Sequence, residues 1–588
     1  MRQAPKDTSK KIEHFTPPRF PVTPRFPLSQ RFASLMTMMP HKSVQILLAK
    51  LNLISADYQT IATDTATRQQ QFRRQYNDVI FMLRLKRGLG ALCCQHTKPI
   101  SDHADPRDIE TNGAVTESDT PDRTSNDAKP LKVIIIGAGI GGLALTQLLM
   151  SATGTQVTCY ERSDGVDDPL IGFCVMLTSS TLAMLKHKLT KETWAHLASS
   201  IGEAPEGGEK VEFFKGNGDK MFVWDSDPMK DQLAVSRWQL REALLYQVKP
   251  VLRVCHAFTR YELLPKGGVR VYFSNGTTDE CDLVVGADGS DSNVKKQLIP
   301  NATIKDLGMA VIYFKIPLTE ESMRLLGSPI RSMTFCPNNE YIMLATWQNS
   351  LFPYATRYTS FTIEPEESFI IFGAGSPISS FYNRRCAPNN LSPTELKAEV
   401  ISRTSRAGIH PRFAMLAKMA CIDTAYVFMV RKSDVVQPWG SQNVTLLGDA
   451  VFNMSNILSR GANCALLDAM TLAEHITSPA HDRSSHSDLD VYVKDNIERR
   501  HNERYRSYLL QKIMFSGQNR FIGFVRDKTL PLALRRIDDL DREEHNGDEK
   551  RLANEENGLL HSDPQWVEEL RWEEIYEEQH GRMRIGSS

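Results

Sequence analysis

Apolar periodicity divides the 588-residue chain into stretches of different texture. Residues 1–40 are rich in Pro and Arg and predict no packed structure. Two helix-like runs follow, at Ser43–Leu53 and Thr67–Leu85. Residues 96–130 are polar, rich in Asp, Thr and Pro, and nearly free of large apolar groups. Such a segment buries too little surface to offset its ordering entropy and reads as a linker. From Leu131 to about residue 535 the periodicity is strong. The last fifty residues are charge-rich again, and Trp566, Leu570, Trp572 and Ile575 form a weak apolar stripe on a solvated helix.

Within the periodic region, Val133 to Met150 imitates a membrane span. Only Thr146 and Gln147 are strongly polar there, and the length is near the ~18 residues a span needs. Glycines at 137, 139, 141 and 142 argue otherwise, because each costs a continuous helix about 1 kcal/mol. A strand, a tight turn and a helix fit better. The four β-branched residues Val133-Ile134-Ile135-Ile136 predict a fully buried strand of a parallel sheet. Leu143 to Leu149 continues as a helix, and Gln156 to Tyr160 predicts the second strand. Val211 to Trp224 predicts a hairpin, and 309–316, 331–336, 340–347 and 368–373 predict further strands.

Composition narrows the function classes. Seventy Lys+Arg against seventy Asp+Glu make the formal net charge zero. That removes the electrostatic case for a nucleic-acid binder and weakens that for an anionic membrane surface. Apolar residues at 41% suit a protein with a large core. The ten cysteines show neither a CxxC pair nor a Cys/His ladder, which argues against a disulfide scaffold and against a metal site. No apolar core of a signal peptide follows the first basic residues, so a cytoplasmic location is expected. The basic, acid-poor arm of residues 1–55 allows an organellar alternative.

The chemistry concentrates in three segments. Gly137, Gly139 and Gly142 form G-x-G-x-x-G between the first strand and its helix. The first glycine permits the turn, the second lets backbone approach a pyrophosphate, and the third permits close helix–strand packing. Glu161 ends the second strand, 19 residues after Gly142, where a carboxylate accepts hydrogen bonds from an adenosine ribose. This motif alone does not separate FAD from NAD. Asp282 to Gly289 and Val444 to Ala450 each run as a short apolar strand that delivers an aspartate (Asp288, Asp449) beside glycine at its carboxyl end, the edge at which open α/β sheets bind ligands. Gly461-Ala462-Asn463 then opens a helix whose free amides would face the electron-rich edge of an isoalloxazine ring.

Together, Gly137-Ala138-Gly139-Ile140-Gly141-Gly142, Tyr160-Glu161-Arg162, Gly286-Ala287-Asp288-Gly289, the Gly448-Asp449-Ala450 segment and the Arg460-Gly461-Ala462-Asn463 helix start resemble the FAD-dependent aromatic-ring-hydroxylase type of flavoprotein monooxygenase, over about 131–480. The resemblance implies an α/β fold: a Rossmann-like FAD-binding domain with a parallel sheet, interleaved with a mixed β-sheet substrate domain, a helical C-terminal part and a disordered N-terminal extension. The implied segmentation is 1–130 extension, 131–205, 231–303 and 431–480 FAD-binding, 206–230 hairpin, 304–430 substrate-binding, and 481–588 C-terminal helices and tail.

It also implies roles. Gly137, Gly139 and Gly142 would cradle the FAD pyrophosphate, with Glu161 on the ribose and Arg162 near it. Gly172 would approach the flavin, and Arg237 would contact FAD. Asp288 would serve FAD and reduced nicotinamide, Asp449 the pyrophosphate and ribitol, and Gly461 and Ala462 the ring. The implied reaction takes NAD(P)H and O2, passes through a flavin C4a-hydroperoxide, and hydroxylates or epoxidises an aromatic or polycyclic small molecule. An oxidase or reductase on the same fold, or a non-catalytic FAD-fold protein, stays open.

Phe314, Phe335, Tyr341, Trp347, Phe369 and Phe372 are expected to line the far face of the flavin or to form the core of the sheet. No catalytic base is singled out among His256, Tyr313, Tyr341, Tyr382 and Arg331. Two departures stand out: Val451-Phe452-Asn453 replaces the family's His-Pro segment, and Lys295 stands where an arginine is usual, which puts the nicotinamide contact in question.

Overall fold

The structure is a computed structural model that describes residues 129–540, apart from 165–172, 227–229, 329–330, 350–366, 384–385, 441–442, 455–458, 479–486 and 516–522. The helices expected at 43–53 and 67–85, the linker, Gly172 and the C-terminal apolar stripe lie outside the described residues. The chain divides into Met1–Asp122 and Arg123–Ser588, and all that follows concerns the second unit.

β1 (Leu131–Ile136) leads through a glycine turn into α1 (Ile140–Met150), which returns as β2 (Thr155–Tyr160). β3 (Cys174–Thr178), α2 (Ser179–Lys188) and α3 (Lys191–Ala198) follow, then the hairpin β4 (Val211–Lys215) and β5 (Lys220–Trp224). β6 (Gln232–Ser236) feeds α4 (Arg237–Leu245) and β7 (Leu252–Arg253). A three-stranded meander, β8 (Phe258–Leu263), β9 (Val269–Phe273) and β10 (Thr278–Cys281), precedes β11 (Leu283–Gly286) and α5 (Asn293–Leu298).

Five strands make a wholly parallel sheet in the order β17-β11-β1-β2-β7, where β17 (Val444–Leu446) enters much later in the chain. β1 is central, so connections leave it toward both sides. Its carboxyl end is the switch point at which such sheets bind ligands. Val133, Ile134 and Ile135 are wholly buried, as a strand covered on both faces requires. The membrane-like run has the same cause. Every residue of α1 but Met150 is buried. Its two polar side chains are satisfied inside: Thr146 Oγ1 donates to Gly142 O (2.7 Å) and Gln147 Nε2 to Leu244 O (2.9 Å).

The second large sheet is mixed. β12 (Ile304–Pro317), α6 (Glu320–Leu326), β13 (Arg331–Phe335), β14 (Tyr341–Trp347), β15 (Phe369–Pro377), α7 (Pro393–Thr404), α8 (Pro411–Met419) and β16 (Tyr426–Ser433) supply most of it. The order is β16-β12-β15-β14-β13-β4-β5, antiparallel except for the parallel β13–β4 pair. All four strands expected between 309 and 373 are present.

Side-chain alternation splits the core of this sheet. Val311, Tyr313, Phe335, Tyr341, Trp347, Phe369 and Ile371 face one side, together with Met176 and Ala234 of the β3–β6 ribbon. Ala310, Ile312, Phe314, Ile370 and Phe372 face the other, under Leu396, Val400, Phe413 and Leu416 of α7 and α8. Phe314 and Phe372 therefore take the core role that the sequence left open for them: the period of two sends them under the helices, while Phe335, Tyr341, Trp347 and Phe369 face the β3–β6 side.

α9 (Gly461–Thr477), α10 (Ser487–Met514) and α11 (523–540) complete the described chain. Leu510, Met514, Leu530, Leu534 and Ile537 cover part of the face of the mixed sheet that turns toward β3 and β6. Asp538, buried, ties α11 down by accepting from Ser226 Oγ (2.8 Å) and Trp224 Nε1 (3.1 Å). Among the described residues no helix is long and apolar enough to cross a membrane, and no group of three His, Cys, Asp or Glu could hold a metal ion.

Candidate functional site

The three glycines of the first turn do different physical work. Gly137 sits at φ +110°, and a Cβ there would lie 2.5 Å from Ala287 O. A Cβ on Gly142 would lie 2.0 Å from Gly137 O. Both are required by the fold itself. Gly139 has an ordinary φ of −76°, and a Cβ there would meet nothing within 4 Å. The protein therefore leaves open space at the mouth of the α1 N-terminus, whose amides and dipole attract an anion.

Glu161 closes one side of this turn. Its Oε2 accepts from Ala138 N (2.8 Å), and its Oε1 accepts from Ser163 N (3.0 Å) and Ser163 Oγ (3.1 Å). Arg162 beside it is exposed. Arg241, one helical turn after Arg237 on α4, is buried and donates through Nε to Ala138 O (3.3 Å). The sequence reading missed Arg241, although an i, i+4 repeat of the chosen arginine was the available signal.

Asp288 follows β11. Its Oδ2 accepts from Asn293 N (2.8 Å) and Val294 N (3.3 Å), which caps α5. Its Oδ1 is buried without a hydrogen-bond partner among the described residues. Burial pushes this carboxyl above its ordinary range, against the amides of α5 and the nearby Ser292. Lys295, on α5, is buried and donates through Nζ to Val451 O (2.8 Å). Burial, and the Arg500 charge after it, lower its pKa to about 8. Lys295 thus braces the loop after Asp449 and is not turned outward to a nicotinamide.

Asp449 lies beyond β17. Its surface is open to solvent, yet burial is the largest influence on its acidity and pushes the carboxyl up. Its exposed area leaves it accessible to a ligand. A Cβ on Gly461 would come within 3.9 Å of Asp449 Oδ1. Arg237, half-buried, is held down by burial and partly restored by Tyr426 and Asp449. Gly461 and Ala462 form the half-buried first turn of α9, which no side chain caps. Its leading amides are therefore available to a ligand.

Two residues that the sequence reading gave no role fix this geometry. Asn463 accepts from Thr178 N (3.0 Å) and donates to Met176 O (2.8 Å), which pins β3 to the start of α9. Asp468, wholly buried, accepts from Gly448 N (3.1 Å), Arg499 (2.7 Å) and Arg500 Nε (2.6 Å). Burial pushes its carboxyl up, but Arg500 and Arg499 outweigh this and hold it below the usual carboxylate range.

The motifs are in mutual contact. A Cβ on Gly141 would meet Leu447 Cδ2 at 2.9 Å and Ala465 Cβ at 3.2 Å, and Ala287 packs on Gly137. Two helix N-termini, an open position at Gly139, an exposed Asp449 and an orphaned Asp288 oxygen surround the carboxyl edge of one parallel sheet. The donor set suits a long ligand with an anionic middle and a polar ring at one end, and FAD is such a ligand.

Of the five candidate bases, Tyr382 is 93% exposed and Tyr341 4%. His256 packs on Tyr160 (5.2 Å between centroids) beside Glu161, at the far end of the site. Arg331 pairs with buried Glu209 (3.4 Å), and Tyr313 packs on Phe173 (5.6 Å) at the head of β3.

Comparison with known proteins bears on the fold and on the cofactor. Residues 268–502 match the family described as FAD binding domain. The chain is 27% identical over 404 residues to the dual O-methyltransferase/FAD-dependent monooxygenase elcB of Phaeosphaeria nodorum, covering 63% of this chain and 42% of that protein. It is 24% identical to the 3-amino-4-hydroxybenzoate 2-monooxygenase PtmB3 of Streptomyces platensis, covering 69% of this chain and 94% of that one. The chain therefore spans less than half the length of elcB and of its Cercospora beticola counterpart CTB3. Among solved structures, a Photorhabdus luminescens protein named as an FAD containing monooxygenase aligns with a TM-score of 0.56 at 25% identity, over 67% of this chain and 99% of that one. Klebsiella pneumoniae HpxO, complexed with FAD and uric acid, shares the fold with a TM-score of 0.56 at 18% identity, over 70% of this chain and 96% of that one.

Proposed function

We propose that the chain, whose residues 268–502 match an FAD binding domain, is a flavoprotein monooxygenase of the FAD-dependent aromatic-hydroxylase type and uses NAD(P)H and O2 to hydroxylate or epoxidise an aromatic or polycyclic small molecule. The observation that carries the reading is the convergence of three sequence-distant loops on the open position at Gly139. FAD, when bound, supplies the capacity to take up reducing equivalents and to activate dioxygen.

The chain's own residues bind, orient and exclude water. Amides of residues 139–142 and the α1 dipole receive the pyrophosphate. Glu161 accepts from the ribose, which it reaches by loosening its bond to Ala138 or Ser163. Asp449 and Asp288 accept from the ribitol side, and Arg237 balances the charge of Asp449. The uncapped first turn of α9, at Gly461 and Ala462, donates to the electron-rich edge of the ring, where negative charge collects on reduction.

The layer between the β3–β6 ribbon and the mixed sheet holds the substrate. Phe173, Tyr313, Trp347 and Phe369 keep it dry. An aromatic substrate accords with the substrate that the name of PtmB3 states for that protein.

The test starts with purified full-length protein. It should carry the visible flavin absorbance, or gain it with added FAD. NAD(P)H oxidation should then rise with an aromatic or polycyclic substrate, and labelled dioxygen should leave one labelled atom in the product. A folded but colourless protein that does not take up FAD refutes the reading. NAD(P)H consumption that yields only peroxide points to the oxidase alternative.

A further inference from the structure

Between Leu307 and Leu318 one charged residue, Lys315, interrupts an apolar run. It lies on β12 with the parity of Val311 and Tyr313, so its side chain faces the layer beneath the β3–β6 ribbon. It is 4% exposed. Its Nζ stands 4.5 Å from the Phe369 ring centroid, and Phe369 stacks on Trp347 at 5.4 Å. Trp347 is itself anchored through Nε1 to Ser200 O (3.3 Å). The titratable groups that face the ammonium are the thiols of Cys174 on β3 and Cys421 after α8. No carboxylate or other hydrogen-bond acceptor partners it among the described residues.

Such a charge is costly. A buried ammonium loses its hydration, and an aromatic face returns only part of that loss. Burial lowers the Lys315 pKa to about 8, so the group stays mostly cationic at neutral pH. Other buried cations of the protein show the contrast: Arg331 has Glu209, and Arg403 has Glu399. A methionine would fill the Lys315 position without the penalty, since a buried charge is often replaced by an apolar residue of similar volume at no loss of stability. Among the described residues nothing supplies the anion that this cation calls for, and an incoming ligand would supply it.

We propose that Lys315 is the substrate's cationic anchor: it binds an anionic oxygen, a phenolate or a carboxylate, on an aromatic ring lodged between Phe369, Tyr313 and Phe173. The proposal rests on the function proposed above and names its substrate class. A cation beside a phenol favours the phenolate, and a phenolate ring is richer in electrons toward an electrophilic oxygen. Lys315 would thus select ionisable substrates and hold them in the more reactive form.

The test uses the full-length, FAD-loaded protein and three probes: naphthol, naphthoate and the neutral methoxynaphthalene. Binding is read from perturbation of the visible flavin spectrum. The wild type should bind naphthol or naphthoate about tenfold or more tightly than methoxynaphthalene, about 1.4 kcal/mol, and the tighter of the two identifies phenolate or carboxylate. Lys315→Met should collapse that preference to about twofold or less and leave the methoxynaphthalene Kd unchanged. Its melting temperature should equal or exceed that of the wild type, which a merely structural lysine would not give.

A preference absent in the wild type, a preference that survives in Lys315→Met, or an FAD-loaded wild type whose spectrum none of the probes moves overturns the proposal. Failure of the wild type to hold FAD is a different result, and it counts against the proposed function.

Discussion

At the scale of single residues, the glycine turn separates what folding requires from what a ligand requires. Gly142→Ala forces a Cβ against Gly137 O and should cost about 3 kcal/mol of stability, read as a lowered denaturant midpoint. Gly139→Val meets no protein atom. It should leave the melting temperature of the apoprotein unchanged while weakening FAD about a hundredfold or more, about 2.7 kcal/mol. FAD affinity equal to wild type in that variant would falsify the cradle.

Asp449 makes a pH prediction. Its carboxyl is raised in the folded state, so ionising it costs the fold. The cost is absent in acid, appears as pH rises through the unfolded-state pKa, and is complete above the folded one. Asp449→Asn removes it. The apo variant should therefore gain stability over the apo wild type as pH climbs from acid to neutral, measured by urea titration, and it should bind FAD more weakly. Parallel stability curves would contradict the assignment.

At the scale of elements, the site is held by how helices begin and what ties them together. α1 and α9 each aim an N-terminus into the cleft. Asp468 joins α9 to α10 and to the Gly448 amide with one buried carboxylate. Its lowered pKa gives the opposite sign: its stabilisation is present above the unfolded-state pKa and is lost as pH falls through the folded one. Asp468→Asn should lose about 3–5 kcal/mol at neutral pH, with the gap to wild type closing in acid, as acid-to-neutral denaturation curves would reveal.

The elements differ in how far the sequence announced them. β1, α1, β2, the β4–β5 hairpin and β12 to β15 were expected, because their apolar period is carried by consecutive residues, whereas β16 at the edge of the mixed sheet was not. The side on which Phe314 and Phe372 pack was not, because both faces of β12 and β15 are apolar and the pattern does not say which one a helix covers. Lys295 was read as a weakened cofactor contact. Its burial against Val451 O is a consequence of where α5 meets the β17 loop, a relation between segments 156 residues apart.

At the scale of the whole molecule, the contact pattern separates Met1–Asp122 from Arg123–Ser588, and β1 begins at Leu131. A chain shortened to residues 123–588 should bind FAD within about twofold of the full-length protein. FAD at a hundred times its Kd should stabilise both by about 2.7 kcal/mol, a rise visible in thermal melts. A truncated chain that folds without binding FAD would assign the first unit a part in the site.

The sequence by itself determined the glycine turn, the acidic ends of β2, β11 and β17, and the uncapped start of α9, because each is a local backbone demand written within a dozen residues. It also carried the resemblance that led to FAD. Tertiary structure decided the rest: that these loops share one sheet edge, that Asp468 and Asn463 lock them in place, that Lys295 turns inward, and that Lys315 is left buried with no anion beside it among the described residues. Those outcomes depend on contacts between residues from 20 to 287 positions apart, and periodicity along the chain holds no record of which distant surfaces will meet.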